Sequence, residues 1–220
     1  NNEIPKFTYL KKEKNRVSPK DVLQKDEASK LMKWMKDKYA VESSEIPRAE
    51  YIKRRIYNLT FTIHLLTGMR PAELLGTKWK DIRPVRDTSK SSQDNVVIHI
   101  DGDRCKTGKT RNLVAPIKPQ LDRIKHWYKE LEHHVEPYSD EFVFLKLTKS
   151  GLDNGKPQTP KAMGDRLKAV LKGATEDPNC PLNLTHLNIT NYSARHYYIT
   201  QQLFKDTNVH LVAEQVGTGI

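Results

Sequence analysis

Residues 67–75 read Thr-Gly-Met-Arg-Pro-Ala-Glu-Leu-Leu, and this stretch joins two predicted helices. Gly68 can adopt the left-handed conformation that ends a helix. Pro71 suits the first turn of the next helix because its missing N–H needs no partner there. Arg70 therefore lies at a helix N-terminus, where free backbone N–H groups favour an anion, and Glu73 can fold back onto its guanidinium. The stretch predicts a phosphate-binding turn; the alternative is an ordinary surface arginine.

Composition restricts the class of partner. The 220 residues contain 38 Lys+Arg against 27 Asp+Glu, for a net charge of +11. This length suits one domain, or one domain with an arm. The positive charge favours nucleic acid or an anionic surface over a neutral small substrate.

The same sequence argues against several other classes of protein. No run approaches the roughly 20 apolar residues that cross a bilayer, and no signal peptide opens the chain. Cys105 and Cys180 form neither a disulfide framework nor a metal-ligand cluster. We therefore expect a cytoplasmic protein with no membrane partner, no metal and no cofactor.

The pattern of apolar residues predicts a mainly helical α+β domain. Helical periodicity predicts helices at about residues 25–38, 48–66, 71–75, 119–132, 159–172, 190–204 and 209–215. Strand-like runs predict one small three-stranded antiparallel sheet from residues 79–82, 96–100 and 111–117. Polar stretches predict loops at residues 86–95 and between residues 147 and 159. Residues 1–18 are basic and aperiodic, which is typical of an interdomain linker or arm.

A second candidate site lies at the tip of the predicted sheet. Lys106 occupies the turn, and Lys109 and Arg111 follow closely. A lysine on such a turn can enter a DNA groove beside a phosphate and donate a proton; the alternative is a solvated charged turn. A nucleotide-binding P-loop is rejected, because its pattern requires a glycine where Asp103 stands.

The third candidate lies in the predicted helix that begins at about residue 190. Tyr192, Arg195 and His196 are spaced three and four residues apart and share one face. Arg195 could bind a phosphate through two parallel hydrogen bonds. The alternative is a packing helix in which Arg195 pairs with a carboxylate. His196, Tyr197 and Tyr198 fit packing better than catalysis.

In their order and spacing, these three elements resemble the catalytic domain of tyrosine recombinases, the phage integrase family. The resemblance covers roughly residues 19–220. Thr67–Leu75 with Trp79-Lys-Asp-Ile is similar to the first box of the family, and Lys106-Thr-Gly-Lys is similar to its β-hairpin lysine. Tyr192–Thr200 is similar to the second box, and Val209–Thr218 to the segment that ends in Leu-Gly-His.

The resemblance implies a site-specific recombinase or integrase of a phage or mobile element, encoded by a bacterium or a phage. A tyrosine would attack the scissile phosphodiester and form a 3′-phosphotyrosyl link without ATP or metal. Arg70 and Arg195 would bind the phosphate oxygens, Glu73 would orient the site, and Lys106 would protonate the leaving 5′-oxygen. Lys109 and Arg111 would contact DNA. The implied partners are double-stranded DNA and further copies of the chain, as a tetramer on recombination sites.

Three positions depart from the family pattern. Tyr192 and Thr218 stand where the family usually has histidine. The nucleophilic tyrosine of the family follows the Leu-Gly-His position, and no tyrosine follows Thr218. We therefore expect residues 19–220 to be a catalytic domain truncated before its nucleophile. Two alternatives stay open: a DNA-binding module of this fold without catalysis, and a type IB topoisomerase-like relaxase.

Overall fold

Helices account for most of the fold. The computed structural model describes residues 22–85, 93–105, 108–148, 151–180, 182, 184 and 188–217. The helices in these residues are α1 (Lys25–Trp34), α2 (Arg48–Thr67), α3 (Pro71–Leu75), α4 (Lys118–Lys129), α5 (Pro160–Glu176), α6 (Asn191–Leu203) and α7 (Val209–Val216). A π-helical turn, Met35–Tyr39, extends α1.

The longest helix, α2, lies at the centre of the hydrophobic core. It packs against α4 and α6, and its residues Ile52, Ile56, Leu59 and Ile63 are buried. This spacing follows one face of a helix, as the sequence predicted. Burying each of these side chains contributes about 1.5–3 kcal/mol relative to exposure. The central position of α2 holds its C-terminal end, and the turn that follows, in a rigid part of the molecule.

The three-stranded sheet was also predicted. Its strands are β1 (Ile82–Pro84), β2 (Val96–Ile100) and β3 (Arg111–Ala115), antiparallel and in the order β1-β2-β3. Arg111 lies opposite Ile100. Because side chains alternate between the two faces of a strand, Arg111 shares the buried face of β3 with Leu113 and Ala115.

Two parts of the sequence prediction were wrong. Trp79–Asp81 forms a 3₁₀ turn, and strand β1 begins only at Ile82. Residues 151–157, predicted as a loop, form β5 (Gly151–Pro157), which pairs with β4 (Leu145–Thr148) in a second sheet. Glycine, asparagine and proline are depleted in strands, so only the pairing with β4 explains why this segment is extended.

The packing of α7 brings distant parts of the sequence together. This helix contacts both β3 and α6, and α6 contacts α2. The first box, the strand after the predicted lysine turn, and the second box therefore meet at one place. Lys106 and Thr218 lie outside the described residues. No helix among the described residues is long and apolar enough to span a membrane.

Candidate active site

The turn after α2 has a conformation that requires glycine. Gly68 ends α2 with φ +59°, in the left-handed region that side chains disfavour. A Cβ atom at this position would lie 2.4 Å from Cδ1 of Tyr198 on α6. The close approach of the two elements sets the position of the residues that follow, including Arg70.

Arg70 lies immediately before α3 and donates three hydrogen bonds. Its Nη1 donates to Oε1 of Glu73 at 2.7 Å, and its backbone N–H donates to Oε2 of the same carboxylate at 3.0 Å. Its Nη2 donates to the carbonyl oxygen of Gly217 at 2.7 Å. The Arg70 side chain is 15% exposed, so it reaches the surface while the protein holds it from two sides.

Glu73 is the buried carboxylate of the site, with a side chain 1% exposed. Burial by itself raises the pKa of a carboxyl group, but the hydrogen bonds from Arg111 and Arg70 outweigh burial and lower the pKa of Glu73. Glu73 is therefore ionised at neutral pH. An ionised carboxylate accepts hydrogen bonds only, and both of its oxygens are used to hold arginines.

Arg111 points into the protein. Its Nη2 donates to Oε2 of Glu73 at 2.7 Å, its Nε to the carbonyl of Gln215 at 3.0 Å, and its Nη1 to Sγ of Cys105 at 3.2 Å. Its side chain is 6% exposed. The sequence predicted a DNA contact here, whereas the structure places the guanidinium among protein partners. The alternation of β3, with Leu113 and Ala115 on the same face, is a sequence signal that could have indicated this.

Arg195, on α6, is 5% exposed and donates from Nη1 to the carbonyl of Gly68 at 2.8 Å. Burial, followed by the nearby charges of Arg70 and Arg111, lowers its pKa to about 10. Arg195 stays protonated at neutral pH, but its charged form is less stable than that of an arginine in water. This is the expected effect of like charges and desolvation on a cation.

Arg70, Arg111 and Arg195 with Glu73 form what we call the arginine cluster. The cluster has two more positive than negative charges in a partly desolvated place. Such an excess is unfavourable without an anion. The arrangement is therefore suited to binding an anion between arginines from the first and second boxes.

The other predicted site residues are placed as follows. Tyr192 lies in the first turn of α6, 42% exposed, and is near enough to Arg195 for its charge to affect the pKa of the guanidinium. Lys109 is exposed. No group of three or more His, Cys, Asp or Glu side chains among the described residues could hold a metal ion.

One residue of this region was missed by the sequence reasoning. His64, in the last turn of α2, is fully buried, and its Nε2 lies 2.9 Å from the carbonyl oxygen of Met69. Its position on the inner face of α2, two turns after Ile56, indicated burial, but nothing in the sequence indicated its partner.

Comparison with known proteins assigns the family. The model of the phage integrase family matches residues 21–217. The chain belongs to the phage integrase family. The family membership that the three motifs predicted is confirmed. No curated protein sequence gives a significant match.

Solved structures share the fold of this phage integrase family member. A XerH site-specific recombinase bound to difH substrate in a pre-cleavage complex aligns with a TM-score of 0.59 and 18% identity, over 90% of this chain and 47% of that chain. A Tn1549 transposon integrase in complex with transposon right end DNA aligns with a TM-score of 0.65 and 17% identity, over 93% of this chain and 60% of that chain. The chain thus spans about half to three-fifths of the length of these proteins.

Proposed function

We propose that this chain is the catalytic core of a site-specific DNA recombinase that cleaves and rejoins DNA strands through a 3′-phosphotyrosyl intermediate. The observation that carries the proposal is the arginine cluster. Arg70 from the first box and Arg111 from β3 both bind the buried carboxylate of Glu73. Arg195 from the second box lies near enough for its charge to interact with all three, and the group keeps an excess of positive charge. A phosphodiester is an anion of the size and charge that such a site accommodates.

In this proposal, a tyrosine from outside the 220 residues attacks the scissile phosphorus and releases its phenolic proton to solvent. The bond from phosphorus to the 5′-oxygen breaks, and Lys106 protonates the leaving oxygen. Arg70 and Arg195 bind the non-bridging oxygens and stabilise the charge of the transition state. The 5′-hydroxyl of a partner strand then reverses the reaction and completes strand exchange.

Glu73 and Arg111 act on this chemistry from the interior. Glu73 accepts from Arg70 twice and so holds that guanidinium at the edge of the site. Arg111 in turn holds Glu73 and the carbonyl of Gln215. To bind a phosphate fully, Arg70 exchanges its hydrogen bond to Gly217 for one to the DNA.

Tyr192 and Thr218 stand at positions where the family usually has histidine. Tyrosine can donate a hydrogen bond to a phosphate, but its reference pKa of about 10 makes it a poor base at neutral pH. Phosphate binding is compatible with both residues. The chemical step should therefore depend more on Lys106 than on histidine-assisted proton transfer.

Double-stranded DNA is the proposed partner, with a homotetramer assembled on recombination sites and residues 1–18 as a linker to another domain. The net charge of +11 supports an anionic partner. Of the proteins that share the fold, the XerH recombinase is bound to its difH substrate and the Tn1549 integrase to transposon right end DNA.

The proposal is tested with the full-length protein that contains this chain. A target site is first selected by binding from a random duplex library. A nicked suicide substrate, which loses its 5′-hydroxyl after cleavage, then traps covalent protein–DNA adducts. We expect Arg70→Ala and Arg195→Ala to abolish the adduct and to retain most of the duplex affinity. Lys172→Ala, on the exposed face of α5, is the matched control and should behave like the wild type.

The outcomes separate the alternatives. No covalent adduct with the wild-type protein would indicate a DNA-binding module without catalysis. In an exchange assay with two intact duplexes, cleavage followed by rejoining only to the original strand, and never to the second duplex, would indicate a relaxase. Loss of duplex affinity together with cleavage in both arginine variants would make these arginines general DNA contacts.

A further inference from the structure

His64 has a single protonation state that its surroundings require. Its Nε2 faces the carbonyl oxygen of Met69 at 2.9 Å, and a carbonyl can only accept a hydrogen bond, so Nε2 carries the hydrogen. Its Nδ1 is then an unprotonated nitrogen, and it is buried without a hydrogen-bond partner among the described residues. Burial first, and the nearby charge of Arg195 in addition, lower the pKa of His64 to about 4. The ring adds no charge to the arginine cluster at neutral pH.

The carbonyl that His64 binds belongs to the residue before Arg70. Gly68 and Met69 lie between two helices, so a helical ladder does not align their carbonyl groups, whereas the carbonyl of Arg70 accepts from the N–H of Leu74 in the first turn of α3. The carbonyl of Gly68 accepts from Arg195, and that of Met69 accepts from His64. Each peptide group of the turn is thus held from the interior by a different side chain.

We propose that His64 is a positioning residue, whose Nε2–H holds the carbonyl of Met69 and thereby sets the direction in which Arg70 leaves the turn. The inference rests on the proposed function, because it gives Arg70 a phosphate to bind. His64 touches neither DNA nor the reacting atoms. It acts only through the backbone of the turn.

Two amide substitutions test this role. The side-chain nitrogen of glutamine can occupy the place of Nε2, whereas that of asparagine reaches only the place of Nδ1. We therefore expect His64→Gln to keep the hydrogen bond to Met69 and His64→Asn to lose it. Thermal unfolding checks that both variants fold.

The readout is the rate of cleavage of the suicide substrate at saturating DNA, beside the duplex Kd. A misplacement of about 1 Å in an active site costs on the order of 100-fold in rate. We expect a loss of that order for His64→Asn with a Kd near that of the wild type, and recovery of most of the rate for His64→Gln. Equal losses in both variants, or wild-type cleavage by His64→Asn, would overturn the inference.

A second measurement does not depend on catalysis. The backbone N–H of Arg70 donates to Glu73, and its hydrogen exchange reports the order of the turn. We expect this amide to exchange about tenfold faster in His64→Asn and at nearly the wild-type rate in His64→Gln. Unchanged exchange in His64→Asn would refute the positioning role, whether or not the wild-type protein cleaves DNA. Absence of cleavage by the wild-type protein would separately refute the proposed function.

A cleft of about 490 Å³ between α1, α2 and α4 carries an independent inference. We call it the basic cleft, after its lining residues Lys33, Lys36, Arg55 and Arg123. Residues three apart on one helix share a face, so Lys33 and Lys36 point the same way. Among its lining residues the cleft has one carboxylate, that of Asp37.

Three of the four cations that line the basic cleft have no carboxylate partner in the described part of the chain. Within the described ranges, Lys33, Lys36 and Arg123 form no ion pair, whereas Lys161 and Lys172 on α5 each pair with a carboxylate one turn away.

We infer that the basic cleft binds phosphate groups away from the arginine cluster, either those of the DNA backbone or those of a free phosphate ester. If the phosphates are those of the DNA backbone, the inference rests on the proposed function. If they belong to a free phosphate ester, it does not. Each contact to a DNA phosphate adds about 0.9 to the slope of log affinity against log salt concentration.

The test uses a variant with Lys33→Gln, Lys36→Gln and Arg123→Gln, and a control with Lys161→Gln and Lys172→Gln. With a non-specific duplex, we expect the salt slope to fall by about 2–3 in the cleft variant and to stay unchanged in the control.

A second arm titrates inorganic phosphate and a mononucleotide while amide NMR signals of residues 33–36 and 120–123 are followed. Saturable shifts that vanish in the cleft variant, with an unchanged DNA slope, would identify a free phosphate ester as the source. No change in either arm would overturn the inference. A wild-type protein that binds no duplex at all would refute the proposed function. The NMR titration with phosphate would still show whether the basic cleft binds phosphate groups.

Discussion

Replacing Arg111 by methionine distinguishes an interior role from a DNA-contact role. The sequence alone favours a DNA contact, because Arg111 follows the basic turn. The structure instead gives its guanidinium three protein partners, on Glu73, Gln215 and Cys105. Methionine keeps much of the volume and removes the charge and all three hydrogen bonds, so the substitution tests the interaction with little change in packing.

The magnitude follows from the partners that remain. Removing one member of a buried ion pair costs about 3–5 kcal/mol, because the other charge is left buried. Glu73 keeps its two hydrogen bonds from Arg70, and Arg195 loses one unfavourable positive neighbour. We therefore expect Arg111→Met to lower the free energy of unfolding by about 2–3 kcal/mol. At about 2–4 °C per kcal/mol for a domain of this size, the melting temperature should fall by about 4–12 °C.

The assay combines urea denaturation with the salt dependence of binding to a non-specific duplex. Lys109→Met is the matched control, since Lys109 is exposed on the same stretch. We expect Arg111→Met to lose stability with an unchanged salt slope. Lys109→Met should keep the stability of the wild type, and its slope of log affinity against log salt concentration should fall by about 0.9. A stability change under about 0.5 kcal/mol for Arg111→Met, together with a reduced slope, would refute the interior assignment.

Three further substitutions, one of them with a matched control, have expected outcomes in denaturation experiments. Gly68→Ala should cost more than about 2 kcal/mol, because Cβ would lie 2.4 Å from the Tyr198 ring; Gly155→Ala, with a similar φ of +69° and nothing within 4 Å, should cost only about 1 kcal/mol. Glu73→Gln should flatten the loss of stability in acid: the pKa of Glu73 is lowered in the folded protein, so its contribution is present above the unfolded pKa and is lost as the pH falls through the folded pKa. Tyr128→Phe should cost about 1–3 kcal/mol, because its buried hydroxyl both donates to and accepts from the backbone. In each experiment, a variant as stable as the wild type, or an acid transition of Glu73→Gln identical to that of the wild type, would contradict the reasoning.

The helices were predictable because their signals are local. The periodic apolar residues of α2 and the left-handed Gly68 after it are read from neighbouring residues, and the structure has both. The strand Gly151–Pro157 was missed for the opposite reason. Its composition disfavours a strand, and its extended form depends on pairing with β4, which no local pattern contains.

The sequence predicted some features of the candidate site and not others. The motifs predict that Arg70, Glu73 and Arg195 share one site. In the structure, Arg70 is hydrogen-bonded to Glu73, and Arg195 lies near enough to both for their charges to affect its pKa. The inward direction of Arg111 and the partner of His64 were not foreseen. The alternation of buried and exposed residues in β3 indicates that Arg111 points inward. The prediction of a DNA contact relied instead on the basic turn that precedes Arg111.

The family, the helices and the order in which the phosphate-binding candidates occur could all be predicted from the sequence. The helices depend on residues within one or two turns of each other, where spacing specifies geometry, and the order of the candidates is read directly along the chain. Which groups share hydrogen bonds depends instead on how the helices and strands pack. Arg70 reaches a carbonyl 147 residues away and Arg195 one 127 residues away, and contacts over such separations exist only after α2, β3, α6 and α7 have packed into one core.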